Sequence, residues 1–374
     1  MDLSNLRVLA QAISSLEWQN VVMMLIGGVL IWLAINKDYE PILLLPIGFG
    51  AILANLPLTG VTDAGGFLGI LKSAGIDTEL FPIFIFISVG AMTDFGPLME
   101  NPKMAILGAA GQFGIFITLM IAILLGFPLK QAASIGIIGA IDGPTSIYVS
   151  SKLAPELMAP ITVCAYTYMS LIPIIKPPVM RLMTSKAERT IRMPYSRKKL
   201  SRTLRILFPI VMTIIVSLIA PQASPLIAAL MFGNLLREAL VVDSLSEAAE
   251  STLANLVSLF LGIVIGSTME GHSFLQPQTL LIFAMGLFAF VMDAVGGILL
   301  GKMMNFFSGG KFNPLIGAAG DSAFPMSARI VQRFVSEHDF ENFLLMHAMG
   351  ANAAGQVASV IAGGIVLAVM SGAM

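Results

Sequence analysis

Long stretches without any charged side chain set the possibilities for this chain. Glu17 to Lys37, Glu40 to Asp63, Lys103 to Lys130, Glu156 to Lys176, Glu250 to Glu270 and Glu270 to Asp293 contain no internal charge. No Asp, Glu, Lys or Arg follows Glu341. A helix needs roughly 17–25 apolar residues to cross a bilayer, so each stretch reads as a span. The run from Arg205 to Arg237 is too long for one crossing. Pro221-Gln-Ala-Ser-Pro225 cuts it into two short spans. A shorter candidate runs from about Leu80 to Thr93. The alternation of a membrane β-barrel is absent. Charged residues make up 11% of the chain, against about 25% in soluble domains. That is too few to cover a soluble surface, bind nucleic acid or keep a chain disordered. A single cysteine rules out an internal disulfide, and no Cys/His cluster offers a metal site.

Met1 to Glu17 carries one cation, Arg7, and no cleavage-site pattern, so it reads as retained rather than as a signal peptide. Leu3, Leu6, Leu9, Ile13 and Leu16 recur at helical spacing. They fit either a helix on the membrane surface or an ordinary docked terminal helix.

Two apolar stretches are broken at their centres. Lys130 to Lys152 contains Gly136, Gly139, Asp142, Gly143 and Pro144. Lys311 to Arg333 contains Gly317, Gly320, Asp321 and Pro325. Non-helical backbone at membrane depth survives only where protein or a watery cavity satisfies it. Both therefore read as interrupted, re-entrant or broken, helical segments.

Orientation follows from Arg181 to Arg205, which holds nine cations and one acid, Glu188. A short basic loop between spans marks the cytoplasmic side. It reads first as a solvated orienting loop, and secondarily as a docking place for a soluble partner. Counting spans from it places Lys103, Arg237, Lys302 and Lys311 inside and Lys130 and Lys152 outside.

The chain also repeats itself. Gly136-Ile-Ile-Gly139-Ala-Ile-Asp142 resembles Gly317-Ala-Ala-Gly320-Asp321-Ser322, although the acids sit at different distances from the second glycine. Gly90-Ala-Met-Thr-Asp94 resembles Gly266-Ser-Thr-Met-Glu270. The span count puts Asp94 inside and Glu270 outside, so the repeats are inverted. Inverted repeats with matching interrupted segments point to a transport site at the midplane. The expected class is an all-α polytopic membrane protein. Its parts are a surface helix and scaffold spans over 1–79, a first repeat over 80–180, a basic loop with two linking spans and a cytoplasmic segment over 181–251, and a second repeat over 252–374.

A carboxylate at membrane depth costs roughly 2.5–3.5 kcal/mol on insertion scales unless it is paired or faces a cavity. Asp142 sits in Ile141-Asp-Gly-Pro-Thr-Ser146, where carboxylate, carbonyl and hydroxyl oxygens suit a hard cation. The plainer reading is a helix-capping aspartate in a re-entrant turn. Asn313 and Gly317 are four apart, as are Asn352 and Gln356, so each pair shares a helix face. Such amides serve either as ligands or as glue between helices. Arg329 reads as a juxtamembrane anchor or as an anion binder. Tyr166 and Tyr168 fit hydrogen-bonded packing, and a phenol near a carboxylate also relays protons. Asp293 is a further buried acid, which pairs with Lys302 or belongs to a pathway.

Gly139-Ala-Ile-Asp142-Gly-Pro-Thr, Tyr166-Thr-Tyr168-Met-Ser-Leu-Ile-Pro-Ile-Ile-Lys-Pro-Pro178 and Asn313-Pro-Leu-Ile-Gly317-Ala-Ala-Gly-Asp-Ser322 resemble the beta subunit of sodium-ion-translocating biotin-dependent decarboxylases. The resemblance runs from about Leu80 to the end, and the chain starts shorter than some family members. It implies a subunit that releases carbon dioxide from carboxybiotin and exports sodium ions, consuming a proton. Asp142 matches a sodium-binding aspartate, and Asn313, Gly317, Ser322 and Asn352 match further sodium-site positions. Tyr168 matches a tyrosine of proton and sodium handling, with Tyr166 its rival. Arg329 matches an arginine that engages carboxybiotin. The implied partners are a soluble carboxyltransferase, a biotin carrier and a small membrane subunit, with a homotrimer in the inner membrane. Two other classes fit the bare pattern: a secondary sodium/proton or sodium/solute transporter, and a membrane anchor that only assembles a complex. The motifs speak against the first and the buried acids against the second.

Overall fold

Inside a bilayer every backbone amide needs an internal partner, and apolar sequence meets that need as helix. The computed structural model describes residues 14–37, 41–195 and 200–372, and no strand occurs among them. The terminal surface helix falls mainly on residues 1–13, outside the described residues. The principal helices are α1 (Trp18–Lys37), α2 (Pro41–Ala54), α3 (Leu80–Met92), α4 (Met104–Ala110), α5 (Phe113–Leu124), α6 (Leu129–Gly136), α7 (Gly143–Leu153), α8 (Met158–Ser170), α9 (Ile172–Met183), α10 (Arg202–Ile219), α11 (Ser224–Ala239), α12 (Ala254–Ser267), α13 (Pro277–Phe307), α14 (Met326–Ser336) and α15 (Leu345–Ser371). Among the described residues, six helices are long and apolar enough to cross a membrane, or eight if each of two bent helix pairs forms one span. This is an all-α, multi-pass membrane architecture.

Three spans differ from the charge-gap reading. Asp293 does not end a span. α13 carries it through the middle of a 31-residue helix, because a buried partner can stabilise an acid there. The stretch after Glu156 is not one straight crossing either: Pro155–Ser170 and Ile172–Met183 meet at 67°. The stretch after Glu40 yields only the 14-residue α2.

Both central interruptions lie where glycine, proline and acid cluster. After α6 a 3-10 turn covers Ile137–Ala140, Ile141 turns left-handed (φ 55), and Asp142 is extended as N-cap of α7. Pro144 in the first turn of α7 suits a helix start, where its missing N–H costs nothing. In the second segment a 3-10 turn covers Pro314–Ala319, and helix resumes only at α14.

The two halves pack reciprocally. α2 lies on α12 and α11 lies on α3, so the helix preceding each repeat packs on the first helix of the other repeat. A Cβ on Gly50 would collide with the Ile263 carbonyl, and one on Gly266 with that of Ile47. The same holds for Gly90 with Leu230 and Gly233 with Ile87. Close helix approach through small residues is the usual packing mode where lipid removes the hydrophobic drive. Asn55 donates to the Met269 carbonyl at 2.8 Å, and Asn234 donates to the Thr93 carbonyl at 2.9 Å. Gly262 meets Pro46 while Asn55 meets Met269, so α2 and α12 run parallel. α11 reverses at Leu240 (φ 55) into the helix that carries α12. The helix before each repeat thus runs with the first helix of the other, and the two repeats have opposite orientation. The last helices exchange likewise: α15 packs on α4, and α8 on α13.

Candidate cation and carboxylate site

The extended backbone at Asp142 aims its carboxylate along the start of α7. It accepts from the Thr145 hydroxyl at 2.6 Å, the Thr145 amide at 3.4 Å and the Ser359 hydroxyl at 2.9 Å. Two of these donors are the local N-cap pattern. The third comes from α15 and is tertiary. Asp142 is buried, and among the described residues no cation pairs with it.

Ser322 ties the two interrupted segments together. Its hydroxyl bonds the carbonyls of Ala140 (2.7 Å) and Ile141 (3.0 Å), directly before Asp142. Gln356 on α15 donates in turn to the Ser322 carbonyl. One turn earlier, Asn352 donates to the Asp321 carbonyl at 2.7 Å and to its carboxylate at 3.3 Å. The Asn352 Oδ1 oxygen is buried with no hydrogen-bond partner among the described residues. Asn352, Gln356 and Ser359 therefore form one polar stripe of α15 facing both breaks. Asn352 and Gln356 were legible from their spacing of four. Ser359 was missed, although it continues that stripe by three.

The remaining expected residues lie elsewhere. Asn313 uses its amide fully. Its Nδ2 donates to the Arg189 (3.3 Å) and Ile191 (2.9 Å) carbonyls, and its Oδ1 accepts from the Leu315 amide at 3.0 Å. It caps the 3-10 turn and holds the 184–193 loop. Gly317 packs flush on Gly297 of α13, where a Cβ would collide with the Gly297 carbonyl. The Tyr168 hydroxyl donates to the Phe283 carbonyl at 2.9 Å. Tyr166 is the tyrosine beside Asp142. Its ring covers Gly143, and its buried hydroxyl has no partner among the described residues.

Lys302 pairs with Glu188 at 3.3 Å rather than with Asp293. Asp293 is buried with Oδ1 unpartnered, and it interacts electrostatically with Lys176. Lys176 forms a fully buried ion pair with Asp321, which sequence reading did not foresee. Two cations of the basic loop, Arg189 and Arg192, make fixed contacts rather than facing solvent alone. Arg189 is buried, donating to the Thr184 carbonyl at 2.6 Å, and Arg192 clamps Asp339 at 2.7 and 2.8 Å.

A cavity of about 480 Å³ joins these parts. Asp142, Tyr166, Ser322 and Gln356 line its inner end, and Arg329 and Arg333 on α14 and Glu250 also line it. Arg329 and Arg333 are exposed. The cavity thus combines guanidinium forks, suited to a carboxylate, with a buried acid among oxygen ligands, suited to a hard cation.

A family model described as the Na+-transporting oxaloacetate decarboxylase beta subunit matches residues 19–370. Glutaconyl-CoA decarboxylase subunit beta of Acidaminococcus fermentans is 52% identical, over 95% of this chain and 94% of that protein. Methylmalonyl-CoA decarboxylase subunit beta of Veillonella parvula is 50% identical, over 94% and 93% respectively. The oxaloacetate decarboxylase beta chain of Klebsiella pneumoniae is 43% identical, over 92% and 94%.

Proposed function

The chain belongs to the family of Na+-transporting oxaloacetate decarboxylase beta subunits, and from that premise we propose that it decarboxylates carboxybiotin and couples this step to sodium export. The observation that carries the reading is the shared cavity of Arg329 and Asp142. Carboxybiotin, brought by a biotin carrier, enters from the side of the basic loop. Arg329 holds its carboxylate as a fork donor. The N–C bond breaks, the electron pair stays on the biotin nitrogen, that nitrogen takes a proton and carbon dioxide leaves.

Sodium is the cargo. Asp142 binds it, with oxygens from the second interrupted segment and α15 completing the shell. Ser322 positions the backbone before Asp142, and Asn352 holds Asp321, the residue before Ser322. Asn313 and Gly317 shape the second segment from outside this shell. Tyr166 exchanges the proton with Asp142, and Tyr168 fixes α8 against α13. Exchange of sodium for a proton at one carboxylate links the chemistry to transport. The repeats over 80–180 and 252–374 move against each other to alternate access. The subunit works in the inner membrane with a soluble carboxyltransferase, a biotin carrier and a small membrane subunit, as a homotrimer.

The test uses the holoenzyme in proteoliposomes. Asp142→Asn is expected to lose both sodium uptake and decarboxylation. Full sodium-stimulated decarboxylation in that variant would remove the carboxylate from the mechanism. Sodium flux without any biotin compound would replace the reading by a secondary transporter.

A further inference from the structure

Each repeat brings an acid and a cation to one mouth of the molecule, and the two mouths differ. α2, α3, α11 and α12 pack together, and both breaks lie in the helices beside them. A π-helical turn precedes the first helix of each repeat: Ser73–Asp77 before α3 and Ala248–Leu253 before α12. Such turns recur at functional sites. Each has an acid, Glu79 just after the first turn and Glu250 within the second. The helix that resumes after each break is 11 residues long and carries a cation in its last turn, Lys152 on α7 and Arg333 on α14.

At the mouth away from the basic loop the charges meet. Lys152 Nζ lies 3.0 Å from the Glu79 carboxylate and 4.6 Å from the centre of the Tyr148 ring. Glu79 keeps a left-handed backbone (φ 64) in that contact, which a residue other than glycine holds only where its surroundings impose it. One turn before Lys152, the Tyr148 hydroxyl donates to the Gln222 carbonyl at 3.1 Å, in the turn that leads into α11. α7 is thus fastened at this end to the helices across from it. The ion pair remains partly exposed, at 37% and 23%, and exposed pairs shift an equilibrium by about fivefold or less. That strength suits a contact broken in every cycle. At the other mouth, Arg192 of the basic loop clamps Asp339 just past α14. There Glu250 and Arg333 both line the cavity of about 480 Å³ and are exposed, and among the described residues they form no ion pair.

We propose that Glu79–Lys152 and Glu250–Arg333 are gates at the two mouths, related by the inverted repeat and closed alternately. In this structure the outer gate is shut and the inner one open. When the helices carrying the breaks shift against α3 and α12, the outer pair parts and Arg333 meets Glu250, closing the cavity from the side of the basic loop. Arg329, one turn before Arg333, stays available for a carboxylate. The part these gates play in sodium export rests on the function proposed above, whereas the exchange of one ion pair for the other does not.

The test reads the width of the inner mouth without labelling either pair. Full-length chains purified in detergent carry Cys164→Ala, with nitroxide labels on Glu247→Cys and Glu337→Cys. Both label positions are exposed, one just before Glu250 and the other just after Arg333. Pulsed dipolar spectroscopy then gives the populations with a long (open) and a short (closed) distance. Lys152→Met is expected to raise the short-to-long ratio by up to about fivefold, and Glu79→Gln to do the same. Adding Glu250→Gln to either is expected to return the ratio toward that of the parent. The exchanged pair, Glu79→Lys with Lys152→Glu, is expected to restore the parent ratio. An unchanged ratio on breaking the outer pair overturns the proposal. So does a rise that Glu250→Gln leaves in place, or one that the exchanged pair fails to reverse. The distances need neither a biotin compound nor sodium flux, so their outcome is separate from that of Asp142→Asn in proteoliposomes.

Discussion

Asn352 and Ser359 lie two helical turns apart on α15 and bind the acids of two different interrupted segments. Asn352 holds Asp321 and Ser359 holds Asp142. Gln356 between them engages the Ser322 carbonyl. One rigid helix therefore sets the spacing of both breaks. Any shift of α15 along its axis is felt at the two acids together.

Ser359→Ala removes the tertiary hydroxyl from Asp142 and leaves the local Thr145 donor. Hydrogen bonds to charged groups contribute about 1.5–3 kcal/mol. The sodium concentration for half-maximal decarboxylation by the holoenzyme is expected to rise about tenfold or more. An unchanged sodium response would place Ser359 outside the cation's surroundings.

Tyr166 and Tyr168 separate by substitution. Tyr166→Phe is expected to alter the pH profile of sodium-dependent turnover with little loss of stability, because its hydroxyl has no partner among the described residues. Tyr168→Phe leaves the Phe283 carbonyl without its donor and is expected to cost about 1 kcal/mol of stability, while the pH profile holds. The opposite assignment of effects would return the proton to Tyr168.

Arg329→Lys keeps the charge and loses the planar fork. The apparent KM for the carboxylated carrier is expected to rise about tenfold, with the sodium dependence retained. Equal activity of the lysine variant would show that no two-pronged carboxylate contact is made there.

Gly317→Ala tests packing. The added methyl group meets the Gly297 backbone, which has no flexible end to move aside. A loss of about 1–3 kcal/mol is expected from overpacking, read as a lower unfolding midpoint in sodium and in choline alike. A loss confined to the sodium response would make Gly317 part of the ion's shell.

The Arg192 guanidinium, by its hydrogen bonds, holds the Asp339 carboxyl below its ordinary range. A depressed carboxyl contributes stability above its unfolded value of about 3.9. That contribution is lost as pH falls through the lower folded value. Protection of the 184–193 loop amides, taken relative to their intrinsic exchange rates, is expected to fall on acidification below about pH 4, and Asp339→Asn is expected to abolish that fall. Persistence of the pH step in the variant would assign it to another group.

Much of the fold was legible because its signals are local. Charge-free length marks a crossing, and Gly-Pro-Asp clusters at 136–144 and 317–325 mark backbone that cannot stay helical. Local signals mislead where a buried charge has a partner distant in sequence. Asp293 looked like the end of a span, yet α13 runs through it. Asn313 and Asn352 look alike in sequence, but one braces the 184–193 loop and the other leaves an oxygen free beside Asp321.

By itself the sequence determined most of the apolar spans, the two breaks, the inverted halves and the acid at 142, since hydropathy and backbone preference act within a few residues. Only the tertiary structure decided that Lys176 meets Asp321, that Ser359 meets Asp142 and that Arg329 shares a cavity with that acid. Those partners lie far apart along the chain. A buried charge takes whichever counter-group the packing of the two units brings within reach, and no local pattern encodes that choice.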